Sequence, residues 1–376
     1  MKITSKQLAW LSFGLVWAVL IWMWTGGEEG KWRGGAIKGT DLRQHELAGR
    51  LWNEGQRELL YRDHQFGKAF GPDDPQLERF NYVYSPFVAW TASWFDNWSR
   101  ESRYLGWWLV SVAALAASIG LWTRAFPEEK LTASDWAYVF GCPSLFFILT
   151  AFQNTTLTLL AVVSGILLLR RGLPLAAGLA LAGSLYKPSL APYIGLMLLV
   201  AGHWKAVAGL VFGGICWIAA CLACGGWDLT VLWAEALAGM LNGGQITNPK
   251  TNVSMVGFVE TVGLPRPIGW ILGIGTLGGC AYWLRLCPRP PEAAVFCGLL
   301  AWLLGASYVP HYEWLLGLPL LALHRAWLYS PGWTWWLLGL LAFASGIAAG
   351  VSMVAPACVL WLLVSWLFKK KAQPGA

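Results

Sequence analysis

Long apolar runs separated by short polar turns occupy most of the 376-residue chain. About 20 apolar residues in a helix cross a bilayer core about 30 Å thick, so these runs predict an all-α, polytopic membrane protein of about 12 spans. The predicted spans are Gln7–Thr25, Tyr104–Trp122, Trp136–Phe152, Thr155–Leu169, Leu173–Leu185, Leu190–Gly202, Ala206–Leu222, Ile268–Leu284, Ala293–Val309, Trp314–Leu328, Trp333–Gly350 and Val354–Phe368. A thirteenth apolar segment, Tyr82–Phe95, is shorter and contains Pro86.

Basic residues predict the orientation, because Lys and Arg concentrate in cytoplasmic loops. Lys2 and Lys6 precede the first span, and Lys369–Lys371 follow the last. Both ends are therefore expected in the cytoplasm, which requires an even number of spans. We interpret Tyr82–Phe95 as a re-entrant or interfacial helix, which is tolerated where it is buried in protein or lines a cavity.

The composition supports membrane insertion, since 56% of the residues are hydrophobic and only 12% are charged, against about a quarter in soluble domains. The first span reads as a retained signal anchor, because no small-residue cleavage site follows it. A net charge of +7 fits membrane placement and gives no indication of nucleic acid. The eight cysteines lie mostly inside apolar runs, and no metal or cofactor is expected.

One segment departs from the apolar pattern: residues 25–81 hold 19 of the 47 charged residues. An amphipathic helix is predicted there, with Thr40 as its N-cap, Asp41 as its first residue and its end near Tyr61. Asp41 is a candidate general base. The alternative is that this aspartate only stabilises the helix N-terminus, an effect of about 0.3–1 kcal/mol.

The predicted topology divides one integral membrane domain into alternating spans and loops. Residues 26–103 and 223–267 form outer-face loops, 104–222 and 268–368 hold spans, and 369–376 form a cytoplasmic tail. The turns at Gln153–Asn154, Tyr186–Lys187 and His311–Glu313 also reach the outer face. Polar residues thus concentrate at one interface, which indicates a site there.

Several short motifs occur in a specific order. Gly39–Thr40–Asp41–Leu42 is followed by an aromatic stretch with Tyr84, then by Gln153–Asn154 at the start of a span, Tyr186–Lys187–Pro188, Asn252–Val253–Ser254 and His311–Tyr312–Glu313. In this order they resemble glycosyltransferase family 87, polyprenyl-phosphate-sugar-dependent enzymes of the GT-C fold that include bacterial mannosyltransferases and arabinofuranosyltransferases. The chain departs from the family pattern with Ser85 in a Tyr-Pro-Pro step and Phe152 before the Gln.

The resemblance implies roles for these residues at the outer face of a bacterial plasma membrane. Asp41 would deprotonate a hydroxyl of a lipid or glycan acceptor, and a sugar, with mannose favoured, would transfer with inversion from a polyprenyl-monophosphate donor. His311 would assist catalysis or contact the phosphate. The implied substrate-binding residues are Lys187, Tyr84, Gln153, Asn154, Asn252, Ser254 and Glu313.

Other functions remain open from sequence. A transporter or lipid flippase would place broken helices and polar groups at the bilayer midplane, whereas here they favour one interface. An O-antigen ligase or polymerase would carry essential Arg and His in a late outer loop, but residues 223–267 contain no His. A non-catalytic assembly factor would leave Asp41 replaceable.

Overall fold

The computed structural model of the chain describes residues 4–27, 31, 33, 39–62, 65–69, 82–128, 132–241, 252–286 and 290–317. Regular structure within these ranges is helical, and a short antiparallel bridge joins Asn252 to Pro310. The α-helices are α1 (Ser5–Thr25), α2 (Thr40–Asn53), α3 (Gln65–Lys68), α4 (Pro86–Ser93), α5 (Arg100–Ala125), α6 (Ala133–Phe140), α7 (Pro143–Ala151), α8 (Thr155–Arg170), α9 (Pro174–Ala182), α10 (Ala191–Val200), α11 (Trp204–Leu241), α12 (Met255–Thr261), α13 (Arg266–Leu286) and α14 (Ala293–Gly305). Shorter 3₁₀ turns cover Arg57–Leu60, Gly183–Tyr186 and His311–Gly317.

Four of the described helices, α1, α5, α11 and α13, are long and apolar enough to cross a membrane. Shorter apolar helices accompany them at Thr155–Arg170, Pro174–Tyr186, Ala191–Val200 and Ala293–Gly305. The described chain is therefore a multi-pass, all-helical membrane protein. The expected number of 12 spans stays a prediction, because the predicted spans Trp333–Gly350 and Val354–Phe368, and the part of Trp314–Leu328 after residue 317, lie outside the described residues, as does the 369–376 tail.

Two predicted spans differ from the observed helices at Gly and Pro residues. The expected span Trp136–Phe152 is divided into α6 and α7, because Pro143 cannot continue the preceding helix and instead occupies the first turn of the next one. The helix expected to end at Leu222 continues as α11 to Leu241 through a kink at Gly226, whose φ of 74° requires glycine. The predicted loop 223–267 is thus partly helical.

The charged segment forms helices that pack on the bundle. Its first helix, α2, starts one residue earlier than predicted, at Thr40, with Gly39 as N-cap, and it ends at Asn53 rather than near Tyr61. The apolar face of α2 is buried, with Leu47 and Leu51 at most 3% exposed. The opposite face is not simply solvated, since the carboxylate of Glu46 lies 3.0 Å from Nε of Arg103 on α5. The segment Tyr82–Phe95, expected to be re-entrant or interfacial, contains α4, which contacts α2 and α11; its relation to the membrane stays a prediction.

The apolar core lies between α5, α8, α9, α10, α13 and α14, and α8 contacts both α5 and α9. At the C-terminal end of α8, Arg170 donates hydrogen bonds of 2.7 Å to Glu292 and to Glu128, and its guanidinium lies over the Phe126 ring. This charged cluster ties the end of α8 to the segments that follow α5 and precede α14. The N-terminal end of α8 faces the candidate site.

Candidate active site

The first turn of α2 presents Asp41 at one end of the bundle. Gly39 enters the helix with a φ of 66°, a left-handed conformation that favours glycine. Its N–H donates to the Thr150 carbonyl oxygen at 3.2 Å. A Cβ at this position would lie 2.8 Å from the Phe152 ring, so the chain passes too close to α7 for any side chain. The backbone before Asp41 is thereby fixed to the turn between α7 and α8.

A buried ion pair lies beside Asp41. Lys187 follows the 3₁₀ turn Gly183–Tyr186, and its Nζ bonds to Oε1 of Glu313 from the 3₁₀ turn His311–Gly317. The Glu313 side chain is 2% exposed, and the ammonium lies 5.4 Å from the centroid of the Tyr312 ring. A buried carboxylate is stable only when it is paired, so Glu313 depends on Lys187.

The surroundings give the Asp41 carboxyl a proton affinity suited to acid–base chemistry. Desolvation by burial raises its pKa from 3.8 to about 7, against the opposing charge of Lys187 and with a further contribution from Glu313. The residue keeps some exposed surface, through which a substrate hydroxyl could reach it. A base with a pKa near the working pH exchanges protons most effectively.

The next turn of α2 adds two polar side chains on the Asp41 face, because residues three and four apart are neighbours on a helix. Gln44 donates from Nε2 to Oδ1 of Asp41 at 3.2 Å. His45 is buried against the Tyr84 ring, with a centroid separation of 4.6 Å, and its Nδ1 lies 3.3 Å from the Tyr82 hydroxyl. Burial, aided by the charge of Lys187, lowers the pKa of His45 to about 4. The imidazole is therefore neutral at physiological pH.

Tyr84 belongs to the same group of residues. Its carbonyl oxygen accepts a hydrogen bond of 2.7 Å from the Tyr61 hydroxyl, and the neighbouring Val83 carbonyl accepts one of 3.1 Å from Trp233. Burial raises the pKa of the Tyr84 phenol well above its usual value, and the nearby Asp41 charge adds to the effect. Tyr84 is therefore a neutral hydroxyl close to Asp41.

Gln153 and Asn154 lie in the turn before α8, next to both charged segments. The carbonyl oxygen of Asn154 accepts a hydrogen bond of 2.5 Å from the Tyr186 hydroxyl, directly before Lys187. The preceding residue, Phe152, packs against Gly39. The two predicted substrate-binding amides are thus located between the segments that carry Asp41 and Lys187.

Asn252 and Ser254 have a different environment. Oδ1 of Asn252 accepts hydrogen bonds from the N–H of Val309 at 2.9 Å and from the N–H and hydroxyl of Ser254, while Nδ2 donates to the Ser307 carbonyl. Both side chains are fully buried. These contacts hold the strand-like segment that leads to Glu313, so the geometry favours a positioning role over direct contact with a substrate.

The last predicted site residue, His311, begins the 3₁₀ turn that carries Glu313, but its side chain lies outside the described part of the structure. Within the described residues no group of three or more His, Cys, Asp and Glu side chains is arranged to hold a metal ion. The expectation of no metal stays a prediction.

Sequence reasoning overlooked Gln44 and His45. Their spacing of three and four residues from Asp41 was a usable signal, since it places all three on one helix face. The motif His311–Tyr312–Glu313 gives no sign that the Tyr312 ring lies beside the Lys187 ammonium. This contact between the Tyr312 ring and Lys187 depends on tertiary packing.

Together these residues define a class of protein: a multi-pass helical membrane protein with a titratable carboxyl, an ammonium and neutral hydrogen-bonding groups at one end of the bundle. Such a set can accept a proton and offset negative charge next to lipid. The sequence profile of glycosyltransferase family 87 matches residues 82–306, well over half of the chain. The chain belongs to this family and is a glycosyltransferase. No match is found among curated proteins or among solved structures.

The matched range covers part of the site. Tyr84, Gln153, Asn154 and Lys187 lie within it, whereas Asp41 and Glu313 lie on either side of it. Membership of the family is therefore independent of the residue assigned here as the base, and the role of Asp41 is an inference from its position and surroundings.

Proposed function

We propose that the protein transfers a sugar from a polyprenyl-monophosphate donor to a hydroxyl of a lipid or glycan acceptor, with inversion at the anomeric carbon. Mannose is the favoured sugar, and arabinofuranose is the other candidate. The observation that carries the proposal is the Asp41 carboxyl, whose pKa is raised to about 7 beside the Lys187–Glu313 ion pair. The family match supports the reaction type.

In the proposed step, one Asp41 oxygen accepts the proton of the acceptor hydroxyl while the hydroxyl oxygen attacks the anomeric carbon from the face opposite the phosphate. The bond between that carbon and the phosphate oxygen breaks, and its electron pair leaves with the polyprenyl phosphate. Inversion follows from this single displacement. General-base assistance of this kind contributes about 10²–10⁴ in rate.

Lys187 is proposed to stabilise the negative charge that develops on the leaving phosphate, because an unpaired phosphate beside hydrocarbon is costly. Its contact with Glu313 holds the ammonium in place before the donor arrives. Gln153, Asn154 and Tyr84 offer neutral hydrogen-bonding groups next to the charged residues, and His311 is proposed to assist at the phosphate. Asn252 and Ser254 contribute through the position of the segment before Glu313.

The proposal includes a location. A polyprenyl tail dissolves in the bilayer, so its phosphate and sugar meet the enzyme at the interface. We propose a bacterial plasma membrane, with both termini in the cytoplasm and the candidate site at the outer face, as the distribution of Lys and Arg favours. No nucleic-acid partner is expected.

The direct test is to incubate the purified protein with a panel of polyprenyl-phosphate sugars and candidate acceptors, and to identify the lipid products by mass spectrometry. The Asp41→Asn variant is expected to lose about 10²–10⁴ of the turnover. Asp228→Asn is the matched control, because Asp228 is exposed on α11, and it is expected to retain wild-type activity. Near-normal turnover by Asp41→Asn would refute the assignment of the base.

Stability separates loss of chemistry from misfolding. The pKa of Asp41 is higher in the folded protein, at about 7, than its ordinary value of 3.8. The carboxyl therefore favours folding below pH 3.8, and this contribution is lost as pH rises through 7. Asparagine avoids the cost of charge burial, so Asp41→Asn is expected to raise the unfolding temperature at pH 8, by the equivalent of about 4 kcal/mol at most, and to change it little near pH 4.

A further inference from the structure

The start of α8 concentrates polar side chains in an otherwise apolar region. Gln153, Asn154, Thr155 and Thr156 are consecutive, and each is at most 5% exposed. One side-chain oxygen of each, Oε1, Oδ1 and the two Oγ1 atoms, is buried without a hydrogen-bond partner among the described residues. Leaving a buried polar group unpaired costs about 1–3 kcal/mol. Four such groups in a row therefore call for a function that folding alone does not supply.

The backbone at this point is also unsatisfied. Asn154 is the N-cap of this 16-residue helix, but its side chain makes no capping bond. The N–H groups of Leu157 and Thr158 bond to the Asn154 carbonyl oxygen, whereas those of Thr155 and Thr156 have no partner in the described structure. Free N–H groups at the positive end of a helix dipole attract anions.

The turn that orients this helix end adopts a strained conformation. Phe152 has a φ of 58°, which is rare for a bulky side chain. The conformation is held by a hydrogen bond of 2.8 Å from Nε1 of Trp107 to the Phe152 carbonyl oxygen. Strained residues of this kind occur where the surrounding structure enforces them, often at ligand sites.

The start of α8 is joined to both charged segments of the candidate active site. Phe152 packs against Gly39, two residues before Asp41. On the other side, the Tyr186 hydroxyl bonds to the Asn154 carbonyl and to the Thr158 hydroxyl, immediately before Lys187. The segment that carries the unpartnered groups thus contacts both the residue that precedes α2 and the turn that precedes Lys187.

We propose that the N-terminus of α8, with its free N–H groups and the hydroxyls of Thr155 and Thr156, binds the phosphate of the lipid-linked donor, while the amide oxygens of Gln153 and Asn154 accept hydrogen bonds from hydroxyls of its sugar. The inference rests on the proposed function and assigns the phosphate to a specific set of donors. Neutral groups then hold the phosphodiester, while Lys187 stays paired with Glu313 and adds its charge from the side. The groups that can donate to an anion here are the two threonine hydroxyls and the free N–H groups at the start of the helix.

The test measures binding of undecaprenyl phosphate, undecaprenol and inorganic phosphate to the full-length protein in lipid nanodiscs. Thr155→Val and Thr156→Val remove only a hydroxyl from a side chain of similar shape. Each is expected to weaken undecaprenyl phosphate binding about 10-fold, the effect of losing one hydrogen bond to a charged group, and to leave undecaprenol binding unchanged. Thr276→Val, on an exposed part of α13, is the control and is expected to bind all three probes as the wild type does.

The inference would be overturned by a double valine variant that binds undecaprenyl phosphate as tightly as the wild type, or by one whose binding of undecaprenol weakens to the same extent as its binding of undecaprenyl phosphate. A third result is that the wild type binds inorganic phosphate through both threonines and yet shows no preference for undecaprenyl phosphate over undecaprenol. That result would assign the site to a free anion and would also overturn the inference. Phosphate-dependent binding without any sugar transfer would instead refute the proposed function alone.

The unfolding temperature distinguishes a ligand site from a structural one. Valine removes an unpaired hydroxyl from a buried position, so the unliganded variants are expected to be as stable as the wild type or more stable. Bound undecaprenyl phosphate is expected to raise the unfolding temperature of the wild type more than that of the double variant. A lower unfolding temperature in the unliganded valine variants would assign the hydroxyls a structural role and contradict the proposal.

Discussion

The raised pKa of Asp41 predicts a specific pH dependence for sugar transfer. The proposed base must be ionised to accept a proton, and its pKa is about 7. We therefore expect kcat/KM to rise with pH as a single ionisation with its midpoint near 7. The donor phosphate is a diester with no ionisation in this range, and the pKa of His45 is about 4, so neither obscures the step.

The size of the effect follows from the pKa. About a tenth of Asp41 is ionised at pH 6 and about nine-tenths at pH 8, so kcat/KM is expected to rise about 10-fold between them. A carboxyl with the ordinary pKa of 3.8 would be ionised throughout, and the profile would be flat. The difference is well above the error of an initial-rate measurement.

A second perturbation tests the cause of the shift. Glu313 raises the pKa of Asp41 and Lys187 lowers it. The Glu313→Gln variant removes one negative charge and leaves Lys187 free to stabilise the Asp41 carboxylate, so the midpoint is expected to fall by about 1 unit. Lys187→Met is expected to move the midpoint in the opposite direction, towards higher pH.

The assay is the initial rate of sugar transfer at subsaturating donor between pH 5.5 and 9, with the protein shown to be folded at each end of the range. A flat profile would refute the assignment of Asp41 as a base with a raised pKa. An unchanged midpoint in Glu313→Gln would show that the charges beside Asp41 do not control it, and desolvation alone would then account for the shift.

Two further predictions concern the backbone that positions the site. Gly39→Ala forces a side chain into a left-handed conformation 2.8 Å from the Phe152 ring; we expect kcat to fall at least 10-fold while donor affinity measured by equilibrium binding changes less, and equal kcat would contradict this. Asn252→Ala removes the acceptor of three hydrogen bonds before Glu313 and is expected to destabilise the protein by about 2–4 kcal/mol, measured by thermal unfolding against the exposed control Thr276→Val.

The sequence predicted the helical membrane class and the family because both depend on features visible in one dimension. Apolar runs of helix length and the order of short motifs can be recognised in the sequence alone. The prediction of Asp41, Lys187 and Glu313 as site residues came from the family resemblance and from the shared membrane side of these segments. The structure brings these three together, and their roles stay a proposal.

Helix boundaries and the neutral part of the site were harder to predict. The start of α2 moved to Thr40 because Gly39 adopts a left-handed conformation that depends on contact with α7. Hydrophobicity alone does not reveal the break before Pro143, whereas the proline itself indicates it. The spacing of His45 from Asp41 indicates a shared helix face, but its contacts with the rings of Tyr82 and Tyr84 form only in the folded chain.

The ion cluster around Arg170 has a mechanical consequence for the site at the other end of the same helix. α8 has 16 residues and is therefore about 24 Å long, with Arg170 anchored to Glu128 and Glu292 at one end and the Thr155 turn at the other. A helix anchored in this way resists sliding along its axis. The salt bridges thus fix the position of α8 along its own axis relative to the neighbouring helices, and a substitution of Arg170 is expected to shift the Thr155 end of the helix from a distance.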